Sequence, residues 1–113
     1  MTAAKYDLEI DQGSSFSTAI TVRENNIIKP LDGFVARAQL RPSIDSPDSQ
    51  KTDFTFDASN FSNGVIVMKL AHTVTESLTA GVYFYDLEIA STDGTSVTRL
   101  MQGKVTVNPE VTR

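Results

Sequence analysis

The sequence predicts an all-β protein in which two antiparallel sheets pack face to face. Three observations carry that prediction. Apolar residues recur at alternate positions in short runs along most of the chain, while helical spacing is nearly absent. Turn residues break those runs at the spacing of a sandwich: Asn25-Asn26, Asn63-Gly64 and Asp93-Gly94. The third is the segment LTAGVYFYDLEI at 78–89, which is written like a tyrosine corner. Tyr83 opens a strictly alternating strand, its ring directed inward and its hydroxyl bonded to backbone a few residues upstream. Tyr85 stands two residues on, where an antibody domain carries a cysteine. Together these specify a seven-stranded immunoglobulin-like antiparallel β-sandwich with a tyrosine corner. Residues 1–113 form a single domain, with 108–113 as an extended C-terminal tail.

The elements follow in order. The first strand spans Lys5 to Ile10, with Tyr6, Leu8 and Ile10 inward and Asp7 and Glu9 outward, and Asp11-Gln12-Gly13-Ser14 ends it. The second runs from about Ser15 to Arg23, burying Phe16, Ile20 and Val22 and tolerating Thr18 among them. Glu24-Asn25-Asn26 turns the chain, because Asn accepts positive φ readily. Ile27 to Gly33 is a connection, with Pro30 unable to donate a ladder bond. Phe34 to Arg41 alternates cleanly: Phe34, Ala36, Ala38 and Leu40 against Val35, Arg37, Gln39 and Arg41. The Ser/Asp/Pro-rich stretch from Pro42 to Lys51 reads as a solvated loop. A short strand at Thr52 to Asp57 buries Phe54 and Phe56, and Val65 to Leu70 buries Ile66, Met68 and Leu70.

Thr73-Val74-Thr75-Glu76 has the form of a capping box and predicts one helical turn crossing between the sheets. The sixth strand then buries Tyr83, Tyr85, Leu87 and Ile89. Asp93-Gly94 is the strongest hairpin signal. The last strand, Thr95 to Val107, has conflicting parity, since placing Val105 and Val107 inside would bury Arg99 as well. Gly103 in mid-strand suggests a bulge that resets it. The pentapeptide YDLEI occurs at 6–10 and again at 85–89, and reads as two strands solving one problem, buried Tyr/Leu/Ile against a charged outer face.

Composition narrows the function classes. The apolar fraction of 40% suffices for one core, so no metal or disulfide is needed to hold the domain. The absence of cysteine removes thiolate metal sites, redox motifs and disulfide staples, and fits folding in a reducing cytoplasm. A net charge of −4 with scattered Lys and Arg argues against nucleic acid as the main partner. The N-terminus has no apolar core of a signal peptide, and the longest apolar runs, Val65 to Met68 and Val82 to Tyr85, are too short for a membrane span.

No constellation reads as an active site. His72, the only histidine, falls at the surface with no catalytic partner. Asp45, Asp48, Asp53 and Asp57 form an oxygen-rich stretch, but the spacing of a calcium loop is missing and Asx turns account for them. Asn60-Phe61-Ser62 matches a glycosylation sequon without a secretory signal. The sequence therefore nominates no catalytic, cofactor-binding or metal-ligating residue. Its interaction candidates are apolar positions that parity turns outward: Val65 and Val67, Phe84, and Leu100 or Met101 beside them. Pro109 and Val111 in the tail are a second route, able to lie along another chain. Sugar recognition through Phe84, Phe61 or the 42–51 loop is the alternative, weakened by the absence of Trp.

Four phrases carry a family resemblance: YDLEIDQGSSF at 6–16, PLDGFVARAQLR at 30–41, LTAGVYFYDLEI at 78–89 and RLMQGKVTVNPEVTR at 99–113. With their Q-G after the first strand, D-G turn, G-x-Y-x-Y-D-L run and terminal G-x-V-x-V, they resemble small immunoglobulin-like structural proteins of tailed bacteriophages. The resemblance implies a non-enzymatic virion protein made in the host cytoplasm, with other virion proteins as partners in symmetric copies. A tail, baseplate or fibre-attachment adaptor is the expectation, and a capsid decoration protein the alternative. A host-surface carbohydrate-binding module is the competing class.

Overall fold

Alternation resolves into two packed sheets in the computed structural model, which describes residues 3–112. In chain order the strands are β1 (Ala4–Lys5), β2 (Leu8–Asp11), β3 (Phe16–Thr21), β4 (Arg23–Glu24), β5 (Ile27–Ile28) and β6 (Phe34–Arg41), then β7 (Thr52–Asp53) and β8 (Thr55–Asp57). They continue with β9 (Val65–Leu70), a helical turn α1 (His72–Thr75), β10 (Gly81–Ser91) and β11 (Val97–Asn108). The larger sheet has the order β1–β11–β10–β6–β7, with β2 also on β11; the smaller is β3–β9–β8; β4 and β5 form a separate hairpin. Pairing is antiparallel except that β1 and β2 run parallel to β11. This is an immunoglobulin-like β-sandwich, and strands occur in all seven expected segments, the first and the fourth with interruptions.

The core is the space between the inner faces. Leu40, Leu87, Ile89, Val105 and Val107 meet Ile66, Met68 and Leu70, with Leu8 and Ile10 closing one flank. Each such side chain contributes about 1.5–3 kcal/mol on burial. Phe54 sits 6.2 Å from Phe16 and 6.4 Å, edge to face, from Tyr85. The tyrosine corner is formed as expected: Tyr83 Oη donates to Thr79 O at 2.6 Å. Tyr83→Phe is expected to cost about 1–2 kcal/mol through that lost bond. Urea denaturation checks it, and an unchanged midpoint would mean the corner bears no weight.

Several local expectations are corrected. The first strand is broken at Tyr6-Asp7, and Tyr6 points out at 57% exposure whereas Tyr85, in the same pentapeptide, is buried. The Thr52–Asp57 strand changes sheets at buried Phe54: β7 pairs with β6 and β8 with β9. The Ile27–Gly33 connection contributes β5 and then buries Leu31 completely. The helical turn is entered from Ala71 with no side-chain cap, so Thr73 does not cap it. Buried Thr75 instead donates to Ser14 O at 2.8 Å, tying the turn to the start of β3.

The parity reset in β11 comes at Leu100, not Gly103. Leu87 pairs with Met101 and Glu88 with Arg99, so Leu100 is the extra residue and two consecutive apolar side chains turn inward. Arg99 thereby stays outside. Gly103 has a different reason to be glycine: a Cβ there would collide with the Tyr6 carbonyl and stand 2.8 Å from Asp7 Oδ1. That carbonyl turns inward over Gly103 to accept from Tyr85 Oη at 2.5 Å. Elsewhere Asn25 and Asn26 take φ of 54° and 65° as their turn requires. At the last hairpin the Thr95 hydroxyl and N–H donate to Asp93 Oδ1 at 2.7 and 3.0 Å and hold its carboxyl down to about 2.

Candidate functional site

The outward positions of β6, β10 and β11 line up in cross-strand rows, and that alignment makes a shaped surface with mixed chemistry. Val35, Ala90 and Val97 form an apolar row; Arg37, Glu88 and Arg99 the next; then Gln39, Asp86 and Gln102; then Arg41, Phe84 and Lys104. An acidic middle strand is thus flanked by arginines on both sides. Arg37 Nε pairs with Glu88 at 2.8 Å and Arg99 Nε with Asp86 at 3.4 Å. Exposed pairs of this kind add about 0–1 kcal/mol each, so they order the surface more than they stabilise it.

Two rims make the face concave. On one side Arg41 pins the 42–51 loop: Nη1 donates to Ser46 O at 2.7 Å, and Nη2 to Asp48 Oδ1 at 2.8 Å and Gln39 Oε1 at 2.9 Å. The Arg41 bond and charge hold the Asp48 carboxyl below the usual range. This loop carries exposed Ile44 to the edge of the groove. On the other side the β1–β2 break places Lys5 and Asp7 over β11, where Asp7 Oδ1 accepts from Lys104 N at 2.9 Å. The open concavity between them is about 860 Å³, lined by Phe84, Ile44, Ala38 and Tyr85 among charged and amide side chains. A second concavity of about 1020 Å³, between the β4–β5 hairpin and the start of β11, is lined mainly by polar groups.

The nominated interaction residues do not form one patch. Val65 and Val67 lie half-buried on the outer face of the smaller sheet, and Phe84 lies half-buried on the outer face of the larger one. Leu100 and Met101 are in the core. Phe61 packs against the core from a short turn and offers no platform. In the tail, Gln12 holds residues 108–110: Gln12 N donates to Asn108 O at 3.0 Å and Glu110 N to Gln12 Oε1 at 2.9 Å. Pro109 is exposed and Val111 is 92% exposed; residue 113 lies outside the described residues.

His72 is exposed on α1, as expected. The four aspartates do not converge. Asp48 is taken by Arg41, Asp53 by Lys51 at 3.5 Å, and Asp57 by Ser59 N at 2.9 Å. No group of three or more potential metal ligands occurs among the described residues. No helix is long and apolar enough to cross a membrane. Alternation alone turns Arg37, Gln39 and Arg41 outward, whereas the composition of the 42–51 loop suggests only solvated chain. Its hold on the sheet was signalled by Arg41 followed closely by Ser43, Ser46 and Asp48.

Tyr85 forms the buried underside of this site. Burial first, then the charges of Asp7 and Tyr6, push its hydroxyl up to about 12. A phenol raised above its usual value of about 10 favours the neutral folded state. Its contribution is therefore whole below about pH 10 and is lost as pH climbs toward 12. Stability measured across that window should fall in the wild type and fall less in Tyr85→Phe, which starts lower at neutral pH. Equal slopes for the two proteins would remove Tyr85 as the cause.

Fold and site together define a single immunoglobulin-like sandwich presenting a concave, ion-paired sheet face. No family model and no curated protein matches the chain. Among solved structures it is similar to InlP of Listeria monocytogenes, with TM-score 0.50 and 14% identity over 94% of this chain and 28% of that one. CopC from Methylosinus trichosporium OB3b gives 0.49 and 11%, covering 98% and 90%. SGBP-B of the Bacteroides ovatus mixed-linkage glucan utilization locus, in complex with a mixed-linkage heptasaccharide, gives 0.44 and 17%, covering 96% and 21%. The chain spans little more than a quarter of InlP and about a fifth of SGBP-B. The likeness to InlP speaks to the fold alone.

Proposed function

We propose that the chain is a non-enzymatic structural protein of a tailed-phage virion, an adaptor at the tail, baseplate or fibre attachment that works through protein–protein contacts. Capsid decoration is the alternative placement. The observation that carries the contact mechanism is the concave outer face of the larger sheet. Arginine and aromatic side chains, the types enriched where proteins bind one another, are concentrated there as Arg37, Arg41, Arg99 and Phe84. The arginines are already held by Glu88, Asp48 and Asp86, so little side-chain freedom remains to be lost on docking. The phage context rests on the resemblance of sequence phrases that span nearly the whole chain. Nucleic acid, membrane and cofactors have no part in this reading.

One observation favours the carbohydrate-binding reading as second: Phe84 and the 42–51 loop do meet at one groove, beside the amides of Gln39 and Gln102. A single phenyl ring between Arg41 and Lys104 suits a protein partner better than a sugar face.

Electron microscopy of intact particles is the test. The chain is expected at symmetric positions, and Phe84→Asp is expected to fold normally yet fail to be incorporated. Absence of the chain from particles would overturn the virion reading. Binding to a glycan array that Phe84→Asp abolishes would replace it with the second.

A further inference from the structure

Among the described residues the smaller sheet ends at an edge that no strand covers. There β3 has β9 on one side and no described strand on the other. The ladder fixes which groups are left over. Val22 N donates to Gly64 O at 2.8 Å, continuing the register in which Ile20 faces Ile66 and Thr18 faces Met68. Even-numbered residues therefore bond to β9, and the N–H and C=O groups of Ser17, Ala19 and Thr21 point away from it. No turn or loop hydrogen bond among the described residues reaches them.

The other edges are guarded in the ways sheets usually are. β7 is only Thr52–Asp53, and β8 is short and ends in Asp57. β1 and β2 are broken at Tyr6-Asp7 and carry Lys5, Glu9 and Asp11. β3 reads FSTAIT, with neither charge nor proline. Its inner face is also unfinished: Phe16, Thr18 and Ile20 are half-buried, whereas Ile66, Met68 and Leu70 on β9 are sealed. In the four-stranded version of this sheet the first strand lies beside the second. Here β1 and β2 both pair with β11 of the opposite sheet, so that place is vacant among the described residues.

We propose that β3 is a pairing edge for a second copy of this chain, joined antiparallel about a two-fold axis at Ala19 so that two three-stranded sheets become one. The edge is complementary to itself. With Ala19 opposite Ala19, Ser17 faces Thr21 on the outside, and Thr18 faces Ile20 and Phe16 faces Val22 on the inside. Small residues meet small ones outside, apolar residues gain cover inside, and every outward N–H and C=O of Ser17, Ala19 and Thr21 finds a partner. No like charges are brought together. Self-pairing of β2 would instead set Glu9 and Asp11 near their own copies in a chain already at −4. The pairing goes beyond the virion assignment and stands without it.

The test is the mass of the purified full chain in solution, by analytical ultracentrifugation from micromolar to millimolar concentration. A concentration-dependent dimer is expected, with slowed hydrogen exchange at the amides of Ser17, Ala19 and Thr21. Ala19→Lys places two ammonium groups face to face and should weaken the dimer at least tenfold. Thr21→Pro, which removes an outward donor at an edge position that tolerates proline, should do the same. Thr106→Lys on the other sheet should leave the dimer intact. A chain that stays monomeric throughout, or a dimer indifferent to both Ala19→Lys and Thr21→Pro while the fold persists, overturns the proposal.

Discussion

Gly103→Val is expected to lower stability by about 3 kcal/mol and to release the N-terminal strand. The site has no slack. Gly103 lies opposite Tyr85 in the β10–β11 register, and the Tyr6-Asp7 peptide rests on it. A side chain there meets backbone atoms of Tyr6, which cannot swing aside as the end of a flexible side chain could. Moving that peptide costs the Tyr85 bond to Tyr6 O and the Lys104 bond to Asp7 together. Urea denaturation should register the loss, and limited proteolysis should find new cleavage before Leu8. Thr106→Val, an outward change on the same strand, serves as the control and should shift stability by no more than about 0.5 kcal/mol. A Gly103→Val protein as stable as that control would show that the chain crosses this point by another route.

Leu31→Ala is expected to cost about 3 kcal/mol although it sits in a connection between strands. Leu31 is 0% exposed, its N–H donates to Phe61 O at 2.8 Å, and its carbonyl accepts from Phe34 N at 3.1 Å. Fixed at both ends by backbone, the loop cannot collapse into the cavity that alanine leaves, so the cost is that of a buried core leucine rather than of a loop residue. Ile27, 70% exposed in the same connection, provides the contrast: Ile27→Ala should change stability by less than about 0.5 kcal/mol. Equal effects from the two substitutions would mean that the connection is not anchored by Leu31.

The fold was legible because its signals are local. Alternation, Asn25-Asn26, Asn63-Gly64, Asp93-Gly94 and the run around Tyr83 each act within a few residues, and each is found where expected. What escaped depends on partners distant in sequence. Tyr6 and Tyr85 share the pentapeptide YDLEI but differ in burial, because only Tyr85 has strands on both sides. Parity turned Val65, Val67 and Phe84 outward, yet parity cannot tell which sheet a strand joins, and two outward faces look in opposite directions. The bulge could have been placed from Leu100-Met101 itself, since two adjacent apolar residues in an alternating strand mark a parity change. Gly103 is glycine for a different reason, the close passage of Tyr6 from almost the whole chain away. The candidate site was half legible: its arginines follow from alternation, while its rims come from the grip of Arg41 on the loop and from the break between β1 and β2.

The parallel pairing of the first strand with the last bears on how the molecule carries tension. A pull between the two ends drags β2 and β11 along each other in opposite directions, so the load falls on their hydrogen bonds side by side. Bonds loaded in this way must give together, whereas an antiparallel hairpin pulled at its open end unzips one rung at a time. The bonds from Gln12 to Asn108 and Glu110 add further rungs at the end where the tail departs. A load applied between the ends therefore meets the β2–β11 pairing in shear rather than rung by rung.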